Sequence, residues 1–246
     1  MKNYNKLYSN AYDIFNKDKK YEEESKFIVK IIQKYKKNSK SILELGTGTG
    51  SHAIFLAKKY NYTGIEKSAE MIKICEEKKI KAKIFKQDIR TLKLNKKYDI
   101  IVALFCVVVY LTNINDFIKT LKNVHKHLNK GGLFIFDFWY TPAVNTIKPQ
   151  ITHNIKKKDN NTYERIATPK IVNSKRIDVV YKFNLSLGKK MYKSKEIHKV
   201  RHFSLADIEK YSAKSDLKPI HYCEMITKKK TIKYDLENFN SFKKII

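Results

Sequence analysis

Ser41-Ile-Leu-Glu-Leu-Gly-Thr-Gly-Thr-Gly-Ser51 is the stretch that decides the fold of this chain. Its apolar start predicts a strand, and Gly46, Gly48 and Gly50 predict a tight turn before a helix that begins at His52. Glycine adopts positive φ angles easily and has no Cβ, so a ligand can lie against such a turn. The following helix presents free N–H groups there. The stretch therefore predicts a site for a nucleotide-like ligand.

Strands and helices alternate at short intervals from residue 41 to about residue 140. The strands predicted after the glycine turn are Tyr62–Ile65, Ala82–Phe85, Tyr98–Val109 and Leu133–Trp139. The clearest helices are Tyr21–Tyr35, Ser68–Lys79 and Asp116–Asn129. Gly131 and Gly132 are predicted to end the third of these helices. This alternation predicts the α/β class, with a doubly wound, mainly parallel, seven-stranded Rossmann-like sheet and its ligand at the carboxyl ends of the strands.

The pattern changes after Thr141. Three runs alternate apolar and polar residues at the period of a strand: Thr162–Val172, Arg176–Leu187 and Met191–Phe203. They predict an inserted antiparallel sheet, which a helix at Leu205–Lys214 and a strand at Ile220–Ile226 follow. We therefore divide the chain into an N-terminal helical lid (1–40), a Rossmann-like core (41–140), an antiparallel β insertion (141–203) and a C-terminal part that completes the core (204–246).

The formal net charge of +28 favours an anionic partner, which could be a nucleic acid, a membrane surface or a small molecule. Only four of the 52 basic residues are arginine, although arginine reads phosphates and base edges better than lysine does. The lysines are spread over the whole sequence, so most of the excess indicates a compositional bias. We expect an anionic small molecule as partner, and no nucleic acid.

Cysteine usage and hydropathy bear on the compartment. Cys75, Cys106 and Cys223 are far apart and odd in number, which is typical of a reducing compartment, and the sequence has no metal-ligand spacing. The longest apolar run, Ile100–Leu111, is too short to cross a bilayer, and the N-terminus lacks the apolar core of a signal peptide. These features predict a cytoplasmic protein with no membrane span and no metal.

Three acidic residues follow the predicted strands. Glu44 lies in the end of the first strand, Glu66 closes the second, and Asp88 follows the third. Together with the glycine turn, this order resembles a class I S-adenosylmethionine-dependent methyltransferase over roughly residues 40–140, and the resemblance extends to the C-terminal helix and strand. The glycines also fit a dinucleotide fingerprint. Glu44, Asp88 and the lack of a second nucleotide-binding half favour the methyltransferase, whose donor is cationic and has no phosphate.

The resemblance implies S-adenosyl-L-methionine as cofactor and S-adenosyl-L-homocysteine as its product. The residues it implies are Gly46, Gly48 and Gly50 for the methionine and ribose part, Glu44 for the ammonium through water or backbone, Glu66 for the ribose hydroxyls, Asp88 and the Ile89 backbone for adenine, and Tyr12 and Tyr21 at the border of the methyl donor. The sequence alone leaves two alternatives open. Glu66 could cap the following helix, and the N-terminal tyrosines could pack in the core.

The segment Leu104-Phe-Cys-Val107 bears on the acceptor. It resembles neither the Asn/Asp-Pro-Pro-aromatic motif of adenine-amino methyltransferases nor the Pro-Cys motif of the cytosine-C5 type, so Cys106 is interpreted as a buried strand residue. The stretch from Leu133 to Pro142 and the inserted sheet resemble, more loosely, small-molecule methyltransferases that act on nucleotide-linked sugars, often for surface polysaccharides. This resemblance implies an O or N atom of a small polar acceptor, and the insertion as its lid.

Methylation of a hydroxyl requires a group that removes a proton. His198 is the first candidate, because it lies within a strand of the insertion and histidine titrates near neutral pH. Asp137, Tyr140 and His202 are alternative candidates, and Arg201 is a candidate phosphate ligand. Two other functions stay open, an RNA methyltransferase and a non-catalytic cofactor-binding partner protein. The chain is expected to be a monomer or a homodimer.

Overall fold

The structure, a computed structural model of the 246-residue chain, describes residues 6–224 and 243–245. Its α-helices are α1 Lys6–Phe15, α2 Tyr21–Tyr35, α3 Ala53–Leu56, α4 Ala69–Glu77, α5 Ile114–His127, α6 Thr141–Ile147 and α7 Leu205–Ala213. Its strands are β1 Ser41–Leu45, β2 Asn61–Glu66, β3 Lys83–Lys86, β4 Tyr98–Ala103, β5 Leu128–Trp139, β6 Thr152–Lys158, β7 Asn161–Asn173, β8 Arg176–Leu187, β9 Lys190–Arg201, β10 Cys223–Glu224 and β11 Lys243–Ile245. Within these described ranges, no helix is long and apolar enough to cross a membrane.

Seven strands form one sheet in the order β10-β11-β5-β4-β1-β2-β3. The five strands β5, β4, β1, β2 and β3 are parallel to one another, and β11 runs antiparallel to β5. Strand β1 is buried along its whole length and β4 along nearly all of it, as expected where both faces of a parallel sheet are covered. The predicted doubly wound, mainly parallel, seven-stranded sheet is confirmed.

The two faces of this sheet belong to separate apolar layers. Ile42 packs with Ile28 and Ile32 of α2 on one face. Leu43, its neighbour in β1, belongs to the layer that contains Phe117 of α5 on the other face, because successive side chains of a strand point to opposite sides. The carboxyl ends of β1, β2 and β4 lie side by side at one edge between these layers.

Residues 152–201 form a second sheet, which is antiparallel and has the order β6-β7-β8-β9. The predicted antiparallel insertion is confirmed, but it has a fourth strand, β6, whose alternation the lysines at its end obscure. One face of this sheet packs against α1. Tyr8 stacks on Phe183 with ring centroids 4.4 Å apart, and Phe15 contacts Tyr163 at 6.5 Å. The N-terminal helix therefore lies on the insertion.

The strand predicted at Tyr98–Val109 is wrong in its second half. Strand β4 ends at Ala103, and the chain turns at Phe105 and Cys106, whose φ angles are 64° and 61°. A 3-10 turn follows at Val107–Tyr110. Periodicity misses this break because every residue of the turn is apolar or aromatic. The positive φ angles are imposed by tertiary contacts, among them the hydrogen bond from the Cys106 N–H to Asp137.

The boundaries around β5 also differ from the prediction. Helix α5 ends where β5 begins, at Leu128, instead of at Gly131 and Gly132, because Leu128 already pairs with Tyr98 of β4. Helix α6 is absent from the prediction and carries Pro142 in its first turn, where a missing N–H costs nothing. The last predicted strand, 220–226, is reduced to β10, and residues 225 and 226 lie outside the described residues.

Candidate active site

The glycine turn at the end of β1 has three positive φ angles, 69° at Gly46, 58° at Gly48 and 79° at Gly50. A Cβ on Gly46 would lie 2.6 Å from a methyl group of Val107, and a Cβ on Gly50 would lie 2.5 Å from the Cys75 sulfur. Both positions therefore exclude a side chain through packing. Gly48 alone among the three has nothing within 4 Å on its Cβ side, so a ligand can approach the backbone there.

Glu66 ties the glycine turn to the start of α4. One of its carboxylate oxygens accepts the Gly48 N–H at 2.9 Å, and the other accepts the N–H groups of Lys67 at 2.7 Å and Ser68 at 2.8 Å. The N-cap of α4 is Ser68, whose hydroxyl accepts the Met71 N–H. The structure thus answers the alternative left by the sequence. Glu66 does not cap the helix but faces the turn, and its remaining lone pairs can accept a hydroxyl.

Glu44 is a buried carboxylate behind the same turn, with 2 % of its surface exposed. The Tyr62 hydroxyl donates to it, and Nδ1 of His52 lies 3.8 Å away. Burial raises the pKa of Glu44 to about 8. No lysine or arginine among the described residues pairs with it, and Nε2 of His52 bonds Glu24 of α2 at 2.8 Å. A cation that approached Glu44 would therefore stabilise its ionised form.

Asp88 lies at the start of a 3-10 turn, Ile89–Thr91, next to the end of β3. Its carboxylate accepts two guanidinium hydrogen bonds from Arg90, at 2.9 and 2.6 Å, and pairs with Lys67 at 2.9 Å. These bonds, first of all those from Arg90, hold the pKa of Asp88 well below its usual range. The side chain is thus ionised and held by two cations. An adenine amino group would have to share these oxygens with Arg90 and Lys67.

Helix α1 lies against the glycine turn as well as the insertion. Asp13 accepts the Thr49 hydroxyl at 2.6 Å and pairs with Lys78 at 2.7 Å. The rings of Tyr12 and Tyr21 each contact Phe105 edge-on, with centroids 6.4 Å apart. Burial raises the pKa values of both hydroxyls. The two tyrosines predicted at the border of the donor are therefore brought together by Phe105, which no sequence pattern singled out.

Asp137, an alternative candidate base, is fully buried at the end of β5. Its carboxylate accepts the backbone N–H of Cys106 at 2.8 Å, and the Cys106 thiol lies 3.6 Å from its other oxygen. These bonds hold the chain in the unusual conformation of Phe105 and Cys106. Cys106 itself is buried, as the sequence predicts, but it lies in the turn after β4 and not in a strand.

Tyr140 and His202 lie where the two sheets meet. Tyr140 bridges to Phe203 and precedes α6, and it is half-buried. Nδ1 of His202 lies 2.9 Å from the Thr141 hydroxyl. Burial lowers the pKa of His202 to about 4, and the charges of Lys175 and Arg201 add to this. His202 is therefore neutral near pH 7.

His198 is 1 % exposed and makes two hydrogen bonds through its ring. Its Nε2 lies 2.8 Å from a Glu196 carboxylate oxygen, and its Nδ1 lies 2.7 Å from the Tyr110 hydroxyl. The sequence reasoning missed both partners. Glu196 precedes His198 by two residues in a strand, which places both on one face and was a usable signal. Tyr110 gave no signal, because the prediction placed it just beyond a continuous strand.

Arg165 lies on the same side of the insertion. Its guanidinium carbon is 5.0 Å from the Phe15 ring centroid and 5.6 Å from that of Tyr181. Its Nε is buried and has no hydrogen-bond partner in the part of the chain that the structure describes. In β-strand register Arg165 opposes Phe183, and Tyr181 opposes Glu196. We call Arg165, Tyr181, Glu196 and His198 the inner face of the insertion.

Arg201, the candidate phosphate ligand, alternates with this set and lies on the other side of β9, beside the Phe203 ring. No group of three or more histidine, cysteine, aspartate or glutamate side chains in residues 6–224 or 243–245 has the arrangement of a metal site.

A family model described as a methyltransferase domain matches residues 42–132. This span runs from β1 into β5. It therefore contains the glycine turn, Glu44, Glu66 and Asp88, but not the insertion.

A dTDP-3-amino-3,4,6-trideoxy-alpha-D-glucopyranose N,N-dimethyltransferase of Streptomyces venezuelae is similar to this chain. The two are 23% identical over 206 residues, which cover 82% of this chain and 86% of that protein. Two solved structures share the fold. An S-adenosylmethionine-dependent methyltransferase from Clostridium acetobutylicum ATCC 824 has a TM-score of 0.80 at 24% identity, covering 98% of this chain and 96% of that one. CalS10, an amino pentose methyltransferase from Micromonospora echinaspora, has a TM-score of 0.78 at 16% identity, covering 100% and 97%.

Proposed function

We propose that this chain, a class I S-adenosylmethionine-dependent methyltransferase, methylates an amino nitrogen of a small sugar that carries a nucleotide or a phosphate. The observation that carries this proposal is the inner face of the insertion. It carries a guanidinium and a hydrogen-bonded histidine against α1, the helix that also bonds the glycine turn. A guanidinium suits the anion of such an acceptor, and a histidine suits the proton that must leave it.

Residues of the core fit the donor. S-adenosylmethionine would supply a methyl carbon that its sulfonium already activates. We assign the ribose hydroxyls to Glu66, the ammonium to the buried Glu44, and adenine to Asp88 with the Ile89 backbone. Gly48 would leave room for the ligand, whereas Gly46 and Gly50 shape the turn through packing. Tyr12 and Tyr21 would border the methyl group. The fit rests on Glu44 and Glu66, which no lysine or arginine of the described residues neutralises.

The acceptor assignment rests on Arg165 and on the similar proteins. Arg165 is half-buried, and its buried Nε has no partner among the described residues, which is costly; a ligand phosphate would satisfy it. The Streptomyces venezuelae relative, which the alignment covers almost fully, is named for an amino sugar linked to dTDP. We therefore favour nitrogen over oxygen as the methylated atom, and a precursor of a surface polysaccharide or a related glycoside as the acceptor.

Two substitutions test the donor site. Glu66→Ala and Asp88→Ala should each weaken S-adenosylmethionine binding in calorimetry, because each removes a carboxylate that faces the ligand. Thermal unfolding should show that both variants are folded. If both bind the donor as the wild type does, the donor assignments are wrong.

An acceptor panel tests the reaction. The full chain would be incubated with S-adenosylmethionine and one of four acceptors: a dTDP-linked amino sugar, the dTDP-linked sugar without its amine, the free amino sugar, or RNA. Mass spectrometry would count added methyl groups. We expect methylation of the linked amino sugar, and much less of the free sugar. Methylation of the amine-free sugar would mean oxygen transfer.

The same panel decides between the competing functions. The net charge of +28 favours RNA as a second candidate acceptor. Methylated RNA would overturn the proposal. Donor binding without transfer to any acceptor would instead indicate a non-catalytic partner protein. The cytoplasmic location and the monomeric or homodimeric state stay predictions.

A further inference from the structure

We propose that Tyr110 is the group that takes the proton from the acceptor, and that His198 and Glu196 hold Tyr110 ready for this step. The proposal rests on the proposed function and names the residues that would carry its proton transfer. It changes the role of His198 from the base that touches the acceptor to a positioning residue behind it.

Three side chains from two separate parts of the chain form a hydrogen-bonded series, which we call the relay. Tyr110 comes from the 3-10 turn after β4, and His198 and Glu196 come from β9. The Tyr110 hydroxyl is 2.7 Å from Nδ1 of His198, and Nε2 of His198 is 2.8 Å from the Glu196 carboxylate. A hydroxyl, an imidazole and a carboxylate in this order are the arrangement by which proteins activate a hydroxyl.

The Glu196 carboxylate fixes the tautomer of the His198 ring. An ionised carboxylate only accepts hydrogen bonds, so Nε2 of His198 carries the hydrogen. In the neutral ring Nδ1 then has a free lone pair and accepts from the Tyr110 hydroxyl. In this arrangement the Tyr110 hydroxyl is the donor to His198, so the Tyr110 oxygen is the atom that would accept a hydrogen bond from the acceptor. A protonated amine or a hydroxyl of the acceptor is such a donor.

Exposure decides which of the three groups can touch an acceptor. His198 and Glu196 are each 1 % exposed, whereas Tyr110 is only half-buried. The rings of Tyr181 and Tyr8 enclose His198, at centroid distances of 4.8 and 5.9 Å. An acceptor could reach the imidazole only by displacing these rings. Tyr110 is the least buried of the three residues.

The turn that carries Tyr110 also contacts the donor side. Val107, its first residue, packs so closely on Gly46 that a Cβ there would lie 2.6 Å from its methyl group. The turn Val107–Tyr110 thus bridges the glycine turn at one end and the inner face of the insertion at the other. A residue in this turn is well placed between the two substrates.

The proton step then involves only these residues and the acceptor. The acceptor X–H bond breaks and its proton goes to the Tyr110 oxygen, while the Tyr110 proton goes to Nδ1 of His198. The imidazolium so formed is stabilised by the Glu196 carboxylate. The electron pair left on the acceptor atom forms the bond to the methyl carbon, and the carbon–sulfur pair stays on sulfur. A sugar amine, which is protonated at neutral pH, needs such a step before it can react.

Tyr110→Phe is the first test, because it removes one oxygen and keeps the ring. We expect kcat to fall about 10²- to 10⁴-fold, with KM for the acceptor changed less than about threefold and the affinity for S-adenosylhomocysteine unchanged in calorimetry. Glu196→Gln should lower kcat about 100-fold or more, because the amide can donate to Nε2 and so reverse the ring tautomer.

A matched control lies in the same sheet. His153 and Glu164 form a second histidine–glutamate pair, at 2.7 Å, but the histidine is exposed, the glutamate is half-buried, and both lie on the other face of the sheet. Glu164→Gln should leave kcat and KM unchanged. An effect of Glu196→Gln that Glu164→Gln also shows would mean general damage to the insertion, and would overturn the proposed role of Glu196.

A measurement that needs no acceptor separates this proposal from the proposed function. Nitrogen-15 NMR of labelled histidine, assigned with a His198→Gln variant, reports which ring nitrogen carries the hydrogen. We expect Nε2–H in the wild type with S-adenosylhomocysteine and Nδ1–H in Glu196→Gln. Nδ1–H in the wild type, or full activity of Tyr110→Phe, would overturn the relay. Failure of the whole acceptor panel would count against the proposed function, and the NMR result would still decide the relay geometry.

Discussion

At the scale of the residue, Asp137 is a buried carboxylate that holds the backbone of the candidate site. It accepts the backbone N–H of Cys106 at the point where two successive non-glycine residues have positive φ angles. Such angles are costly for residues with side chains and persist only where neighbouring contacts enforce them. We therefore assign Asp137 a structural role at the turn, in place of the catalytic role considered from the sequence.

Two substitutions at Asp137 separate these roles. Asp137→Asn keeps an oxygen for the Cys106 N–H, so activity should stay within about tenfold of the wild type. Asp137→Ala leaves that N–H buried without a partner and should lower the free energy of unfolding by about 1–3 kcal/mol. Urea denaturation and initial rates are the measurements. A loss of activity of more than about 1,000-fold in a stable Asp137→Asn variant would restore Asp137 as the base.

Glu44 makes the stability of the ligand-free protein depend on pH. Burial raises its pKa from the ordinary 4.5 to about 8, and the charges of Glu66 and Asp137 add to this. Between these values the folded protein keeps a proton that the unfolded chain releases. The free energy of unfolding therefore falls by at most about 1.4 kcal/mol per pH unit as the pH rises through this range. The contribution of the Glu44 proton is fully present below about pH 4.5 and is lost by about pH 8.

Glu44→Gln should remove this slope. Urea denaturation of wild type and variant at about pH 5.5 and about pH 7.5 measures it, with no ligand added. We expect the wild type to lose stability between the two pH values and the variant to lose much less. Equal losses in both proteins would show that Glu44 is not the titrating group.

The residues at the ends of β1 and β2 could be found from the sequence, and so could His198, but its contact with Tyr110 could not. Glu44 and Glu66 are placed by strand ends, which hydrophobic patterns locate well. The position of Tyr110 and the role of Asp137 depend on the backbone conformation at Cys106. A pattern of apolar residues contains no information about that conformation. The spacing of Glu196 and His198 in one strand was a usable signal as well, whereas the contact between Tyr110 and His198 required the fold.

At the scale of the element, α1 joins two parts of the molecule that are distant in the sequence. Tyr8 and Phe15 pack on the insertion, and Asp13 bonds Thr49 and Lys78 beside the glycine turn. The helix has ten residues, which is short for a helix that must persist on its own. Its order therefore depends on these contacts on both sides.

Asp13→Ala should loosen α1 and leave the core unchanged. The substitution removes a hydrogen bond and an ion pair to the turn, so amide hydrogen exchange within Lys6–Phe15 should become about tenfold faster. Exchange mass spectrometry measures this. Asp18→Ala is the matched control, because Asp18 pairs with Lys156 on an exposed surface and such pairs contribute little. Equal effects of the two substitutions would contradict the proposed role of Asp13.

The elements of the core could be predicted more fully than those of the insertion. Parallel strands such as β1 and β4 are buried on both faces and form continuous apolar runs. Strand β6 has an exposed, lysine-rich face and lacks that signal. The division into four parts, with residues 1–40 and 141–203 as lids, stays a prediction, because the contacts described here show packing and not motion.

At the scale of the whole molecule, the two sheets have different tasks. The seven-stranded sheet places carboxylates at the edge where we propose that a cationic donor binds, and the antiparallel sheet places a guanidinium under α1, where we propose that an anionic acceptor binds. The chain as a whole has a formal net charge of +28. An overall positive field favours the approach of the acceptor and does not distinguish one anion from another.

Diffuse charge and a specific guanidinium should respond differently to salt. A rise from about 20 mM to about 500 mM salt screens exposed lysines but acts weakly on a buried group. We expect kcat/KM for a dTDP-linked amino sugar to fall about tenfold, with kcat unchanged, and kcat/KM for the free amino sugar to change little. Arg165→Met should raise KM for the linked sugar at both salt concentrations, because a buried contact is lost. If salt removes the effect of Arg165→Met, the residue contributes only to the general field, and the assignment of the acceptor anion to the inner face of the insertion is wrong.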